Sequence, residues 1–90
     1  MKVIYPVLFY EEKEGGYSAF VPDLENELSI NASTFGENLE DVMEMAEDLI
    51  AGIVLDEMEE ENKIPKASKI QDINIEEFEK KLDIENWDYI

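Results

Sequence analysis

Three residue types that commonly carry chemistry are missing from this chain. Among its 90 residues there is no cysteine, no histidine and no arginine. Without cysteine there is no disulfide, no thiolate nucleophile and no cysteine-bound zinc. Without histidine there is no usual general base near neutral pH, and the Ser-His-Asp and Cys-His arrangements are excluded. Carboxylate pairs and carboxylate-bound magnesium are the catalytic options that remain.

Positive charge is scarce as well. Seven lysines face 24 acidic residues, which gives a formal net charge of −17 at pH 7. Such a field repels phosphate, so we expect no direct nucleic-acid binding, whereas a basic protein partner is attracted. A hydrophobic fraction of 44% beside 34% charged residues is still the balance of a folded chain.

Long apolar runs are absent. The N-terminal segment MKVIYPVLFYEEKEGG holds a short apolar run that contains Pro6 and is followed by acids. It is typical of a strand and not of a signal peptide, and no run reaches the length of a membrane span. We therefore expect a cytoplasmic protein with no membrane contact and one modest core.

Strand patterns dominate the first third of the chain. Residues 3–10 are apolar at odd and even positions, which predicts a strand that is covered on both faces or shielded by aromatics. Gly15-Gly16 supplies the positive φ of a tight turn, and residues 17–21 alternate, so a β-hairpin is predicted. After the acidic loop PDLENE, residues 28–33 alternate as a third strand.

A long amphipathic helix follows. Asn38 is a predicted N-cap with Asp41 three residues later. An apolar stripe recurs at helical spacing and consists of Leu39, Val42, Met43, Ala46, Leu49, Ile50, Ile53 and Val54. Met45 and Leu55 fall outside this stripe. They are either lone exposed residues or a self-association patch.

The C-terminal third completes the predicted fold. Pro65 prevents the helix from continuing, and KASKIQDINI predicts a short fourth strand with Ile73 and Ile75 on one face. The order β-β-β-α-β predicts a two-layer α+β domain: an antiparallel three-stranded meander plus one further strand, with one long helix on one sheet face. We divide the chain into a domain over residues 1–75 and a tail over 76–90, with helical turns through Phe78, Leu82 and Trp87.

Carboxylate chemistry is not favoured by the placement of the acids. A magnesium-dependent nuclease needs acids that converge from separate strands, whereas the predicted strands are mostly apolar and Asp72 stands alone on the fourth. The glutamates at residues 57–61 do not match the spacing of a calcium loop. We therefore predict no catalytic residue, no metal site and no cofactor.

Three segments share a pattern with a known family. They are YPVLFYEEKEGGYSAFVPDL, TFGENLEDVMEMAEDLI and IPKAS, in this order. Together they resemble the HicB antitoxin family, whose form runs Y-P-A-x-F, an acidic turn with glycine, F-P-D-L-P-G-C, T-x-G-[DE]-[TN]-L-E-E-A and a Pro-Ser exit. The resemblance covers residues 4–75.

The resemblance implies a partly degraded ribonuclease H-like fold without catalytic activity. It also implies a partner, a small basic toxin of the HicA family with a double-stranded-RNA-binding-like fold, which cleaves mRNA with a histidine. Many HicB-like proteins add a C-terminal DNA-binding segment, but this chain ends at Ile90 without a basic recognition helix, so we do not expect operator binding. It also departs from the family at Glu25-Asn26-Glu27, where Pro-Gly-Cys is common, and by a longer connection from Leu24 to Gly36.

Two hypotheses from different classes follow. The first is a non-catalytic antitoxin whose acids contact the toxin. The predicted contacts are Asp23, Glu25 and Glu27, with Glu11 and Glu12 in the hairpin as weaker ones. The alternative for each is an exposed acid that only solubilises the domain. The second hypothesis is an orphan HicB-like scaffold that self-associates, as a dimer or higher oligomer, through sheet edges or the Met45 and Leu55 side.

Overall fold

A computed structural model describes residues 5–82 and 88–89. Its elements are β1 (Leu8–Glu11), β2 (Tyr17–Phe20), α1 (Pro22–Leu28), β3 (Ser33–Gly36), α2 (Leu39–Glu59), a 3-10 turn (Ile70–Asp72), α3 (Ile75–Leu82) and β4 (Asp88–Tyr89). The strands form one sheet in the order β3-β2-β1-β4, and each neighbouring pair is antiparallel. The predicted α+β class, with a three-stranded antiparallel meander and one long helix, is confirmed.

The first hairpin forms at the predicted turn. Phe9 pairs with Ala19 across β1 and β2. Gly15 and Gly16 have φ of 102° and 84°, which is the left-handed region that glycine enters without a Cβ penalty. The Glu12 N–H donates to the Gly16 carbonyl, and the Gly15 N–H donates to the Glu12 carbonyl, both at 3.0 Å.

The third strand lies later than predicted, and the predicted acidic loop is a helix. Pro22 occupies the start of α1, with Asp23 and Glu25 in its first turn. Proline and acids at these positions are strong signals for a helix N-terminus, and the helix takes up Leu28, the first residue of the predicted strand over residues 28–33. The helix ends at Ser29, which has a left-handed φ of 54°, and β3 begins four residues later.

The predicted fourth strand over residues 66–75 is wrong. This part of the chain contains the 3-10 turn and the start of α3. Asn74 caps α3, because its Oδ1 accepts the Glu77 N–H at 3.0 Å, and Glu76 and Glu77 occupy the first turn. The fourth strand of the sheet is instead β4, which pairs with β1 and places Tyr89 opposite Tyr10. α3 covers Ile75–Leu82, where helical turns of the tail are predicted. Trp87 lies outside the described residues, and the division of the chain at residue 75 stays a prediction.

Both faces of the sheet are covered, as the apolar first strand indicates. On one face Ala19 packs with Val42 and Ala46 of α2. On the other, Phe78 of α3 packs against Tyr10 and Phe20. Phe20 meets the rings of Tyr10 and Phe78 edge-to-face, at centroid distances of 5.8 and 5.9 Å. The prediction of helix on one face only is therefore corrected, since α3 adds a layer opposite α2.

A further cluster closes one end of the domain. Tyr5, Val21, Leu24 and Ala32 are buried there. The C-terminal half of α2 packs on them, together with Ile64 and Ala67 from the segment over residues 62–69, which has no regular secondary structure. We call this segment the strap, because it crosses from the end of α2 back to α1.

Candidate protein-binding surface

Asp23, a predicted partner contact, is buried and bonded within the chain. Its Oδ2 accepts the Ser68 N–H and its Oδ1 accepts the Ser68 hydroxyl, both at 2.7 Å. Nearby, the Tyr5 hydroxyl donates to the carbonyl of Pro65. Burial raises the pKa of Tyr5, and the negative charge of Asp23 raises it further. These contacts fasten the strap to the first turn of α1 and to Tyr5.

Glu25 and Glu27 point to different environments. Glu25 is buried, and its Oε1 accepts the Ala32 N–H at 3.1 Å, which joins α1 to the residue before β3. Glu27, two positions later on the helix, is exposed. Asp23 and Glu27 line one shallow polar depression of about 320 Å³, with Ser68 and Glu77 among the other lining residues.

The two hairpin acids lie apart from that depression. Glu11 is exposed at the end of β1. Glu12 is half-buried, and its Oε1 accepts the Ser18 hydroxyl at 2.8 Å. The fold thus assigns Asp23, Glu25 and Glu12 to intramolecular hydrogen bonds and leaves Glu11 and Glu27 at the surface. The partner-binding role of these five acids stays a prediction.

The structure contains an apolar groove that the sequence patterns do not predict. It has a volume of about 740 Å³ and lies between α2 and the segment Tyr5–Phe9. Along α2 its wall extends from Met43 to Met58. Glu47 is the one charged residue among the described residues that line it. We call it the α2 groove.

Of the two residues in the predicted oligomer patch, one lines the α2 groove and the other does not. Leu55 lines the α2 groove and is 56% exposed, whereas Met45 is 45% exposed and does not line it. Met43 and Met58, each 53% exposed, are the other large exposed apolar residues of the α2 wall. Met43 belongs to the predicted core stripe, so its exposure corrects that assignment.

Only part of the apolar stripe of α2 is covered. Val42 and Ala46 are its buried members, while Leu39 and Met43 are exposed and the remainder are half-buried. The signal that points to the groove is therefore present in the sequence. The stripe is wider than one sheet face can cover, and Leu55 widens it further.

The charge on α2 has one sign. The helix holds eight acidic residues and no lysine. Glu40, Glu44, Glu47 and Asp48 follow one another at steps of four, three and one along the chain and are all exposed, and steps of three and four place side chains on a shared helix face. Of this row only Glu47 lines the groove. Glu44 and Glu40 precede it by about one and two turns on the same helix face, and we call the four acids the acidic border.

Neither a metal-binding cluster of side chains nor a membrane-spanning helix is present in the described part of the chain. Among those residues no group of three or more acids is placed to hold a metal ion. No helix within residues 5–82 is long and apolar enough to cross a membrane.

The comparison with protein families decides the family. A model described as HicB-like antitoxin of bacterial toxin-antitoxin system matches residues 4–76. The chain belongs to the HicB-like antitoxin family. No curated protein and no solved structure shows a significant match to it. The match to the HicB-like family includes the hairpin, α1 and both walls of the α2 groove, and it ends in the first turn of α3. The ribonuclease H-like relation of the fold stays a prediction.

Proposed function

We propose that this HicB-like protein is a non-catalytic antitoxin of a type II toxin–antitoxin system. It binds and neutralises a small basic toxin of the HicA type, which cleaves mRNA in the cytoplasm. The observation that carries the proposal is the family match over residues 4–76. The absence of cysteine and histidine supports a binding role over a catalytic one.

Charge favours this class of partner. A net charge of −17 at pH 7 raises the encounter rate with a cationic protein and repels RNA and DNA. Electrostatic steering acts mainly on association, whereas buried apolar anchors set the residence time of a complex. The protein offers acids for the first task and the exposed apolar residues of α2 for the second.

Co-expression tests the proposal. The chain is expressed in bacteria together with a candidate toxin, a small lysine- and arginine-rich protein sought among the genes beside its own, under separate promoters. Relief of growth arrest and co-purification of the two proteins are the expected results. Growth arrest that persists while the chain is present as folded protein would reject the antitoxin role.

Self-association as an orphan scaffold is the second candidate. The exposed Met45 and Leu55 on α2 favour it, whereas the repulsion between two chains of net charge −17 opposes it. Light scattering separates the two candidates. A stable dimer or higher oligomer, together with no toxin-like neighbour, supports the scaffold.

A further inference from the structure

We propose that the α2 groove is the docking site for the toxin, and that it takes one amphipathic helix of that toxin. The helix presents its apolar side to the groove and lysines or arginines to the acidic row Glu40, Glu44, Glu47 and Asp48. This inference rests on the proposed function, since the toxin supplies the cationic helix.

The dimensions of the groove match a helix. Its α2 wall extends over the 15 steps from Met43 to Met58, which correspond to about 22 Å at about 1.5 Å per residue, or about four helical turns. Recognition of a helix in a groove uses apolar anchors repeated every three or four residues. A groove of about 740 Å³ accommodates several such side chains.

The lining provides an adaptable apolar surface. Met43, Leu55 and Met58 are each more than half exposed, so a partner has apolar area to bury there. Methionine fills irregular gaps and tolerates different partner side chains. Ile50 and Val54 also line the groove, and they are half-buried and pack against the core.

Charge selects the occupant among the possible ones. Every ionisable side chain of α2 is acidic, and Glu47 lies in the groove itself. A second copy of this chain brings its own net charge of −17 to the α2 groove. A cationic amphipathic helix satisfies both the apolar lining and the acidic border, which neither a second copy nor an acidic helix does.

The test uses the full chain and two kinds of probe. The first probe is a fluorescent Leu/Lys amphipathic peptide of about 18 residues, with a Leu/Glu peptide of the same apolar pattern as its control. The second is the basic toxin that the co-expression test identifies. Peptide binding is measured by anisotropy, and toxin binding by co-purification.

Two pairs of variants isolate the groove. Leu55→Ser with Met58→Ser removes apolar area from it, and Met45→Ser is the matched control on the same helix outside it. Glu44→Gln with Glu47→Gln removes two charges from the border, and Asp56→Asn with Glu59→Gln removes two exposed charges that do not line it. All these positions are exposed, so the fold is retained, which circular dichroism checks.

We expect the Leu55/Met58 variant to weaken binding of the Leu/Lys peptide about tenfold or more, and the Glu44/Glu47 variant to weaken it several-fold with a shallower salt dependence. Both control variants stay within about twofold of the wild type. The Leu/Glu peptide binds far more weakly.

Equal loss in the groove and control variants, or equal binding of the Leu/Glu peptide, overturns the inference. A Leu55/Met58 variant that changes only the oligomeric state, with peptide and toxin binding intact, overturns it in favour of a second copy. If the wild-type chain fails to bind the toxin, the proposed function fails, and the peptide measurements still decide whether the groove accepts a cationic helix. If the toxin binds wild type and the Leu55/Met58 variant equally, the function stands and the docking site is wrong.

Discussion

Asp23 connects three parts of the chain through one carboxylate. Its two oxygens accept hydrogen bonds from the backbone and hydroxyl of Ser68, and its charge helps to raise the pKa of Tyr5, which bonds the same strap at Pro65. Hydrogen bonds to an ionised acceptor are among the stronger ones in proteins. At this position the acid therefore stabilises the fold before it serves any partner.

Replacement of Asp23 measures that role. We expect Asp23→Ala to lower the free energy of unfolding by about 2 kcal/mol, because two charge-assisted hydrogen bonds are lost at a residue that is 7% exposed. Urea unfolding checks this, with Glu27→Ala as the control at an exposed position of the same helix, where a change within about 0.5 kcal/mol is expected. Equal destabilisation by both substitutions would show that the hydrogen bonds from Ser68 to Asp23 do not stabilise the fold as described.

Tyr5 makes stability depend on alkaline pH. Burial and the charge of Asp23 raise its folded pKa above the usual value of 10.0, so the folded state favours the neutral phenol. The stability that this preference contributes is present below about pH 10, the unfolded pKa, and is lost as the pH rises through the raised folded pKa.

Comparison with Tyr5→Phe isolates this effect. Urea midpoints of the wild type and the variant are measured from about pH 8 to about pH 11. The wild type is expected to lose stability more steeply, since phenylalanine cannot ionise and the other tyrosines contribute equally to both proteins. Parallel pH profiles would show that Tyr5 does not titrate differently in the folded state.

The helices, strands and turns differ in how well local sequence signals predict them. The Gly15-Gly16 turn and the Asn38 cap are short-range devices, and both form as expected, with the Asp41 N–H bound to Asn38 Oδ1 at 2.9 Å. Strand alternation at residues 28–33 is a weaker signal, because pairing depends on distant residues while the helix start at Pro22 depends on its neighbours. The short sequence of β4 carries no strand pattern of its own.

The candidate site could be predicted only in part. The acidity and the broad stripe of α2 are visible in the sequence, and both belong to the proposed docking surface. The groove itself depends on where the segment before β1 lies beside α2, which is a tertiary contact without a local signal. The hydrogen bonds that Asp23 and Glu25 make within the chain could not be predicted from the sequence either. Ser68, the partner of Asp23, is 45 residues away along the chain.

The junction of β3 and α2 allows a sharp packing test. A Cβ at the buried Gly36 would overlap the backbone nitrogen and Cα of Val42, which cannot move without displacing the helix. Gly36→Ala is therefore expected to destabilise the protein by about 2 kcal/mol in urea unfolding.

Gly52→Ala is the matched control for Gly36→Ala. Gly52 lies within α2, and a Cβ there meets nothing within 4 Å. Alanine is favoured over glycine inside a helix by about 0.8–1.0 kcal/mol, so this variant is expected to be more stable than the wild type. If both substitutions shift stability in the same direction, α2 does not pack on Gly36 as described.

For the whole molecule, charge acts on both stability and binding. A net charge of −17 on one small domain repels itself in the folded state. Raising NaCl from about 20 mM to about 500 mM shortens the Debye length from about 20 Å to about 4 Å and is expected to raise the thermal midpoint. A midpoint that falls over this range would show that attractive ion pairs outweigh the repulsion.

The same charge should make toxin capture depend on salt. Steered association slows as salt rises, whereas dissociation from an apolar groove changes little. Stopped-flow association with the basic neighbour at several salt concentrations checks this prediction. An association rate that is independent of salt would show that charge does not steer the toxin to this protein.

We propose that this HicB-like protein neutralises a basic mRNA-cleaving toxin by direct binding. The most direct measurement is RNA cleavage by the purified neighbouring toxin, titrated with the purified chain. We predict that cleavage falls in proportion to the chain added and ends near a stoichiometric ratio. Undiminished cleavage in the presence of excess folded chain would contradict the claim.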